Sequence, residues 1–190
     1  MKAGQDYFVI DKMVSFDELL WVYHELIATP GWSLLRTSNG PAMPLMPFMS
    51  FPGLDIESNG VIEQQFLAGY FRSIIFRVRN VIRTEYGREL PPDIRRIHVG
   101  AKSSLSRTER HSDSKNPEFW TILCFMNPVW NVQDGGEFKL EDEIIEYQTG
   151  RCIVFPSCKE HDGGFVRNEA LNYWRVAVNI ILSPRKGTQG

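Results

Sequence analysis

Trp174-Arg175-Val176-Ala177-Val178-Asn179-Ile180-Ile181-Leu182 is the stretch on which the reading of this chain turns. A run so rich in valine and isoleucine reads as a strand. An arginine entering so apolar a strand is not buried without an anionic partner, and a bound dicarboxylate would supply one. Asn179 shares strand parity with Arg175 and is expected on the same face.

The same pattern of short strands and turns extends back to Arg95. The remaining strands are expected at Arg96–Lys102, Phe119–Met126, Glu137–Leu140, Glu143–Tyr147 and Cys152–Phe155. Asp134-Gly135 is a hairpin signal, and Gly135-Gly136 permits positive φ at a tight turn. Upstream, Tyr7-Phe8-Val9-Ile10 reads as a first strand. Ser15 and Glu18 form a capping box for a helix that ends at Pro30-Gly31. Residues 38–60, with Pro41, Pro44, Pro47 and Pro52, keep no period and read as a long ordered loop, first as a surface loop of no special role and second as a lid or substrate wall. Val61 to Tyr86 is the strongest helix: Ile62, Phe66, Tyr70, Ile74, Ile75, Val78 and Ile82 recur at helical steps, with Arg72, Arg77, Arg79 and Arg83 expected in water. Gly87 and Pro91-Pro92 close it. Helices first and strands afterwards predict an α+β fold in which helices buttress an antiparallel sandwich. One domain over 1–190 is expected, with 1–94 holding the first strand, helices and loop, and 95–184 the strand-rich core.

The chain has 190 residues, 43% of them hydrophobic, which is ample for a core. Its formal net charge of −2 indicates no broad phosphate-binding surface, so no nucleic-acid partner is expected. Cys124, Cys152 and Cys158 are odd in number and lack zinc spacing, which predicts free thiols in a reducing compartment. Asp6, Asp11, Asp17 and Glu18 interrupt the start, so neither a secretory signal nor a membrane span is read there. The expectation is a cytoplasmic protein.

Chemistry concentrates in Arg110-His111-Ser112-Asp113 and Lys159-Glu160-His161-Asp162. His111 and Asp113 lie two apart, so an extended segment projects both to one face. His161 follows Asp113 by 48 residues, room for several strands before the chain returns, and Arg175 follows His161 by 14. Two imidazoles and a carboxylate on one face of an iron ion leave positions open for a cosubstrate and oxygen. Arginine can hold a carboxylate through two parallel hydrogen bonds. Taken singly, His111 with Asp113, and His161 by itself, each read more readily as polar loop residues than as ligands, because short motifs match by chance. It is the order and spacing together that point to a non-haem Fe(II) oxygenase.

Residues from about Arg95 to Pro184 resemble the Fe(II)/2-oxoglutarate-dependent oxygenase superfamily, nearest to its prolyl-4-hydroxylase-like branch. The resemblance rests on His111-Ser112-Asp113, on Trp120 to Asn127 with its Met126-Asn127 end, and on Trp130. It continues through Asp134-Gly135-Gly136-Glu137-Phe138 and Gly150-Arg151-Cys152-Ile153-Val154-Phe155-Pro156 leading to His161. It implies a double-stranded β-helix, a cupin-like jelly roll. It further implies Fe(II) on His111, Asp113 and His161, and 2-oxoglutarate with its far carboxylate on Arg175. Oxygen would be the second cosubstrate and ascorbate an accessory reductant.

Hydroxylation of a small molecule, amino acid or peptide, with release of succinate and CO2, is the implied activity. The carboxylate at Asp113 argues against halogenation, because halogenases of the superfamily tend to carry a small residue there; desaturation and ring closure stay open. Thr121 is a candidate cosubstrate contact. Arg167 competes with Arg175 for the anion, but falls in a polar turn. The strand Arg96–Lys102 lacks the tyrosine often found there, and His98 and Lys102 are candidates to replace it, beside plainer surface or packing roles. A cupin-like metal-binding or sensory module without turnover, and an oxidative demethylase of nucleic acid, are the alternative readings.

Overall fold

The computed structural model describes residues 6–28, 33–35, 48–50, 65–104, 106, 109–167 and 174–185. In chain order the elements begin with β1 (Phe8–Ile10), α1 (Phe16–Ala28), β2 (Ser33–Leu35), β3 (Phe48–Ser50), α2 (Gln65–Tyr86), β4 (Asp93–Lys102) and β5 (Trp120–Phe125). They continue with β6 (Phe138–Leu140), β7 (Glu143–Ile145), β8 (Cys152–Pro156), β9 (His161–Gly163) and β10 (Arg175–Ser183).

Helix α1 starts where its capping chemistry dictates. Ser15 N donates to Glu18 Oε2 at 2.9 Å and Glu18 N donates back to Ser15 Oγ at 3.3 Å. Leu19, Val22 and Leu26 then recur on one face and are fully buried. Helix α2 buries Phe71, Ile74, Ile75, Val78 and Ile82 and ends at Gly87, whose φ of +64° suits glycine. Its arginines divide, against the expectation that all would face water. Arg72 and Arg83 are exposed, but Arg77 pairs with Glu18 at 3.0 Å and Arg79 donates to the carbonyls of Pro91 and Pro92. They tie α2 to the start of α1 and to the segment before β4.

All strand pairs are antiparallel. The larger sheet runs β1-β8-β5-β10-β4-β3-β2 and the smaller β7-β6-β9. Strand parity splits the larger sheet cleanly. Ile97, Val99, Ile122, Cys124, Cys152, Val154, Val176, Val178, Ile180 and Leu182 join the helices in one core. Leu123, Phe125, Ile153, Phe155 and Ala177 turn the other way and pack with Phe138, Leu140, Ile145 and Tyr147 between the sheets. With apolar layers on both faces, every residue of β5 is buried. That explains a run with no polar alternation.

Two expectations need correction. The segment 38–60 is not loop throughout: Phe48–Ser50 is a strand, pairing β2 and meeting β4 at Met49↔Ala101. A strand of this length, among prolines, leaves no readable alternation. The proposed lid role otherwise falls on positions outside the described residues, as do the expected helix positions 61–64. Asp134-Gly135 does not close a hairpin either. A 3-10 turn at Val132–Asp134, capped by Asn131, carries the chain from the larger sheet to the smaller, with positive φ at Gly135 and Gly136.

The three cysteines are free, Cys124 and Cys152 buried and Cys158 exposed. Among the described residues no helix is long and apolar enough to cross a membrane.

Candidate metal centre

The two histidines meet because the backbone pairs them. His111 N donates to His161 O at 2.9 Å and His161 N donates to His111 O at 2.8 Å, adding the 111 segment to the edge of β9. The imidazole centroids lie 4.6 Å apart. Each ring is oriented by a carbonyl two residues earlier: His111 Nδ1 donates to Glu109 O at 2.9 Å and His161 Nδ1 to Lys159 O at 3.0 Å. A carbonyl only accepts, so each Nδ1 carries the proton and each Nε2 keeps a lone pair for a metal.

Asp113 follows on the same face, with its side chain 3% exposed and Oδ2 3.6 Å from His161 Nε2. Thr121 Oγ1 donates to Oδ2 at 2.8 Å, Asn179 Nδ2 approaches Oδ2 at 3.2 Å, and Arg96 Nη2 lies 3.4 Å from Oδ1. Ser157 Oγ, 2.9 Å from Thr121 Oγ1, extends the network. Such contacts aim a carboxylate before any ion arrives. One ligand atom from each of His111, Asp113 and His161 falls within 4.8 Å of the others. Two imidazole nitrogens and one carboxylate oxygen are the donor set of a facial-triad ion.

His161 packs against Phe138 and Phe155, with centroids at 5.4 and 5.0 Å. Burial pushes its pKa below the ordinary histidine value, aided by His111 and opposed mainly by Asp113. The ring therefore stays neutral, the ligating form.

Arg175 opens β10 and faces between the sheets, as do Ala177 and Asn179. It is 3% exposed; its Nε donates to Gly136 O at 2.8 Å, and its guanidinium lies over Phe125 and Tyr147 at 5.1 and 5.3 Å. Its Nη2 is buried and makes no hydrogen bond among the described residues. Leaving a buried charged donor unmatched is costly, so this atom fits a carboxylate ligand. Arg167, the competing candidate, is exposed and paired to Glu137 at 2.7 Å.

Gly136 does more than turn the chain. A Cβ there would lie 3.0 Å from Arg175 Cδ and 3.1 Å from Nε, so glycine lets the arginine lie against the turn. Asn127 holds the same strand from behind. Its Oδ1 accepts from Val176 N at 2.7 Å and from Tyr147 Oη at 2.8 Å, and its Nδ2 donates to Trp174 O at 2.7 Å.

The structure thus brings His111, Asp113 and His161 together, with Arg175 and Asn179 on the adjoining sheet face. Thr121, expected against a cosubstrate, lies against the Asp113 carboxylate. Sequence reasoning missed Arg96 and Ser157. The parity of Arg96 with His98 and Lys102 was the available signal for the first; Ser157 carried none.

No protein-family model matches the chain, and no curated protein matches it by sequence. Solved structures do match. The chain is similar to a 2OG-Fe(II) oxygenase family oxidoreductase from Burkholderia pseudomallei, with TM-score 0.66 and 13% identity, covering 95% of this chain and 89% of that one. It is similar to a Pseudomonas putida prolyl-4-hydroxylase, with TM-score 0.64 and 12% identity, covering 95% and 94%. A prolyl hydroxylase from Trichoplax adhaerens, in complex with a hypoxia inducible factor oxygen degradation domain peptide fragment, gives TM-score 0.60 and 18% identity over 94% and 83%. The chain therefore has the fold of the 2OG-Fe(II) oxygenases, prolyl hydroxylases among them.

Proposed function

We propose that the chain is an Fe(II)- and 2-oxoglutarate-dependent dioxygenase that hydroxylates an unactivated C–H bond of a small molecule, amino acid or peptide. The observation that carries this is the convergence of His111, Asp113 and His161 beside a buried arginine with an unmatched donor. The shared fold supports the reading, with the two sheets as the walls of a double-stranded β-helix.

In this reading His111 Nε2, His161 Nε2 and the Asp113 carboxylate hold Fe(II), and Arg175 takes the far carboxylate of 2-oxoglutarate. The metal and cosubstrate supply oxidation of the substrate by O2, with succinate and CO2 as coproducts. The chain supplies the rest. Glu109 O and Lys159 O fix the imidazole tautomers, while Thr121, Asn179 and Arg96 hold Asp113 in the ligating pose. Phe125, Phe138, Tyr147 and Phe155 keep water from the inner wall, which strengthens each charge–charge contact there.

The test is succinate formation from 2-oxoglutarate with Fe(II) and O2, even uncoupled from a primary substrate. The reading predicts turnover in the parent chain and none in folded His111→Ala or Asp113→Ala. A chain that binds iron yet forms no succinate under any substrate would instead be a non-catalytic metal-binding module.

A further inference from the structure

A second guanidinium reaches the candidate centre from the far end of β4. In the register of β4 against β10, Arg175 stands opposite Lys102 and Arg96 opposite Ile181, about 20 Å further along the strands. The Arg96 side chain is 29% exposed whereas Arg175 is buried, so Arg96 borders solvent and Arg175 lines the inner end. Arg96 is loosely held. Its Nη2 lies 3.4 Å from Asp113 Oδ1, longer than the roughly 2.8 Å of a good charged pair. Its Nε is buried and makes no hydrogen bond among the described residues. Asn179, on the same sheet face, spends Nδ2 on Asp113 at 3.2 Å and leaves Oδ1 buried without a donor among those residues. An unmatched donor and an unmatched acceptor thus flank one carboxylate, each costly unless a ligand meets it. Once Asp113 is committed to a divalent ion, Arg96 faces a net positive centre, and an added anion offsets that repulsion. A 2-oxo diacid shared by Arg175 and the ion has both its carboxylates engaged, so the anion for Arg96 comes from another molecule.

We propose that Arg96 anchors the carboxylate of the primary substrate, and that this substrate is a free α-amino acid whose ammonium donates to Asn179 Oδ1. An internal residue of a peptide carries neither group. This rests on the proposed function and narrows its substrate. The competing role for Arg96 is to hold Asp113 and nothing more.

Anaerobic equilibrium dialysis of protein loaded with saturating Mn(II) and 2-oxoglutarate separates the two roles without turnover. The probes are the twenty proteinogenic L-amino acids and, for each that binds, its primary amide and its deamino acid. At least one amino acid should bind, with its amide roughly ten- to hundredfold weaker, the scale of a lost charged hydrogen bond. The deamino acid should also bind more weakly. Arg96→Gln should bring amino acid and amide within about twofold of each other. Arg96→Lys keeps the charge without the fork: it should bind the amino acid several-fold more weakly and still prefer it to the amide. That variant carries the test if the glutamine variant fails to fold. Binding of no amino acid, equal binding of acid and amide, or equal binding of the deamino acid by the loaded parent overturns the proposal. So does a preference untouched in Arg96→Gln, or amino-acid affinity unchanged in Arg96→Lys. A parent that binds no 2-oxoglutarate in the presence of Mn(II) removes the proposed function itself, and this inference with it.

Discussion

Asp113 is the residue of the candidate centre most closely tied to the larger sheet, through Thr121, Asn179 and Arg96. It lies 3.6 Å from His161 Nε2 on one side and accepts from Thr121 Oγ1 at 2.8 Å on the other. Removing that donor should loosen the ligand without removing it. Thr121→Val is expected to lower Mn(II) or Fe(II) affinity by roughly ten- to hundredfold, the usual cost of losing an outer hydrogen bond to a ligand. Metal dialysis checks this, and unchanged affinity would show that Asp113 needs no such support. His161 predicts a pH dependence. Its folded-state pKa lies below the ordinary value of 6.5, chiefly through burial, so below 6.5 the unfolded chain takes up more protons than the folded one. Its contribution to stability is complete above that pH and is lost as pH falls toward the folded pKa. The metal-free protein should therefore lose thermal stability on acidification from pH 7 to 5.5, and His161→Gln should flatten part of that slope.

At the scale of elements, the capping box and the buried face of α2 make contrasting predictions. Ser15→Ala removes an exposed cap and should cost about 1 kcal/mol in urea unfolding. Ile75→Ala leaves a void beneath a helix packed on the larger sheet and should cost roughly 2–5 kcal/mol. Equal losses would mean that α2 packs less tightly than its burial implies. These elements were also the legible ones. Ser15 with Glu18, the helical steps from Ile74 to Ile82 and the apolar run of β10 each carry a local signal that tertiary contacts only confirm. Strand β9 was hidden, because His161-Asp162-Gly163 has no apolar pattern and becomes a strand only by pairing with β6 and His111. Strand β3 was hidden among prolines for the same reason.

At the scale of the molecule, the grouping of His111, Asp113 and His161 was legible because order and spacing survive in one dimension. The support around it was not, because it is written in sheet register. Arg175 stands opposite Lys102, Asn179 opposite Leu123 and His98, and Ile181 opposite Thr121 and Arg96, pairings that link residues tens of positions apart. The two sheets meet at the candidate site, with His111 and His161 on the smaller sheet's edge and Asp113 held by side chains from the larger. A metal bound there should stabilise the entire chain: at a free Mn(II) concentration one hundred times its dissociation constant, about 2.7 kcal/mol is expected by mass action. The melting temperature should rise with Mn(II) and stay flat in His111→Ala. The most direct measurement is a crystal structure of the protein with Mn(II) and 2-oxoglutarate, grown without oxygen. It should show one ion on His111 Nε2, His161 Nε2 and the Asp113 carboxylate, with the cosubstrate's far carboxylate on Arg175. An ion bound elsewhere, or a far carboxylate turned to Arg167, would contradict the account.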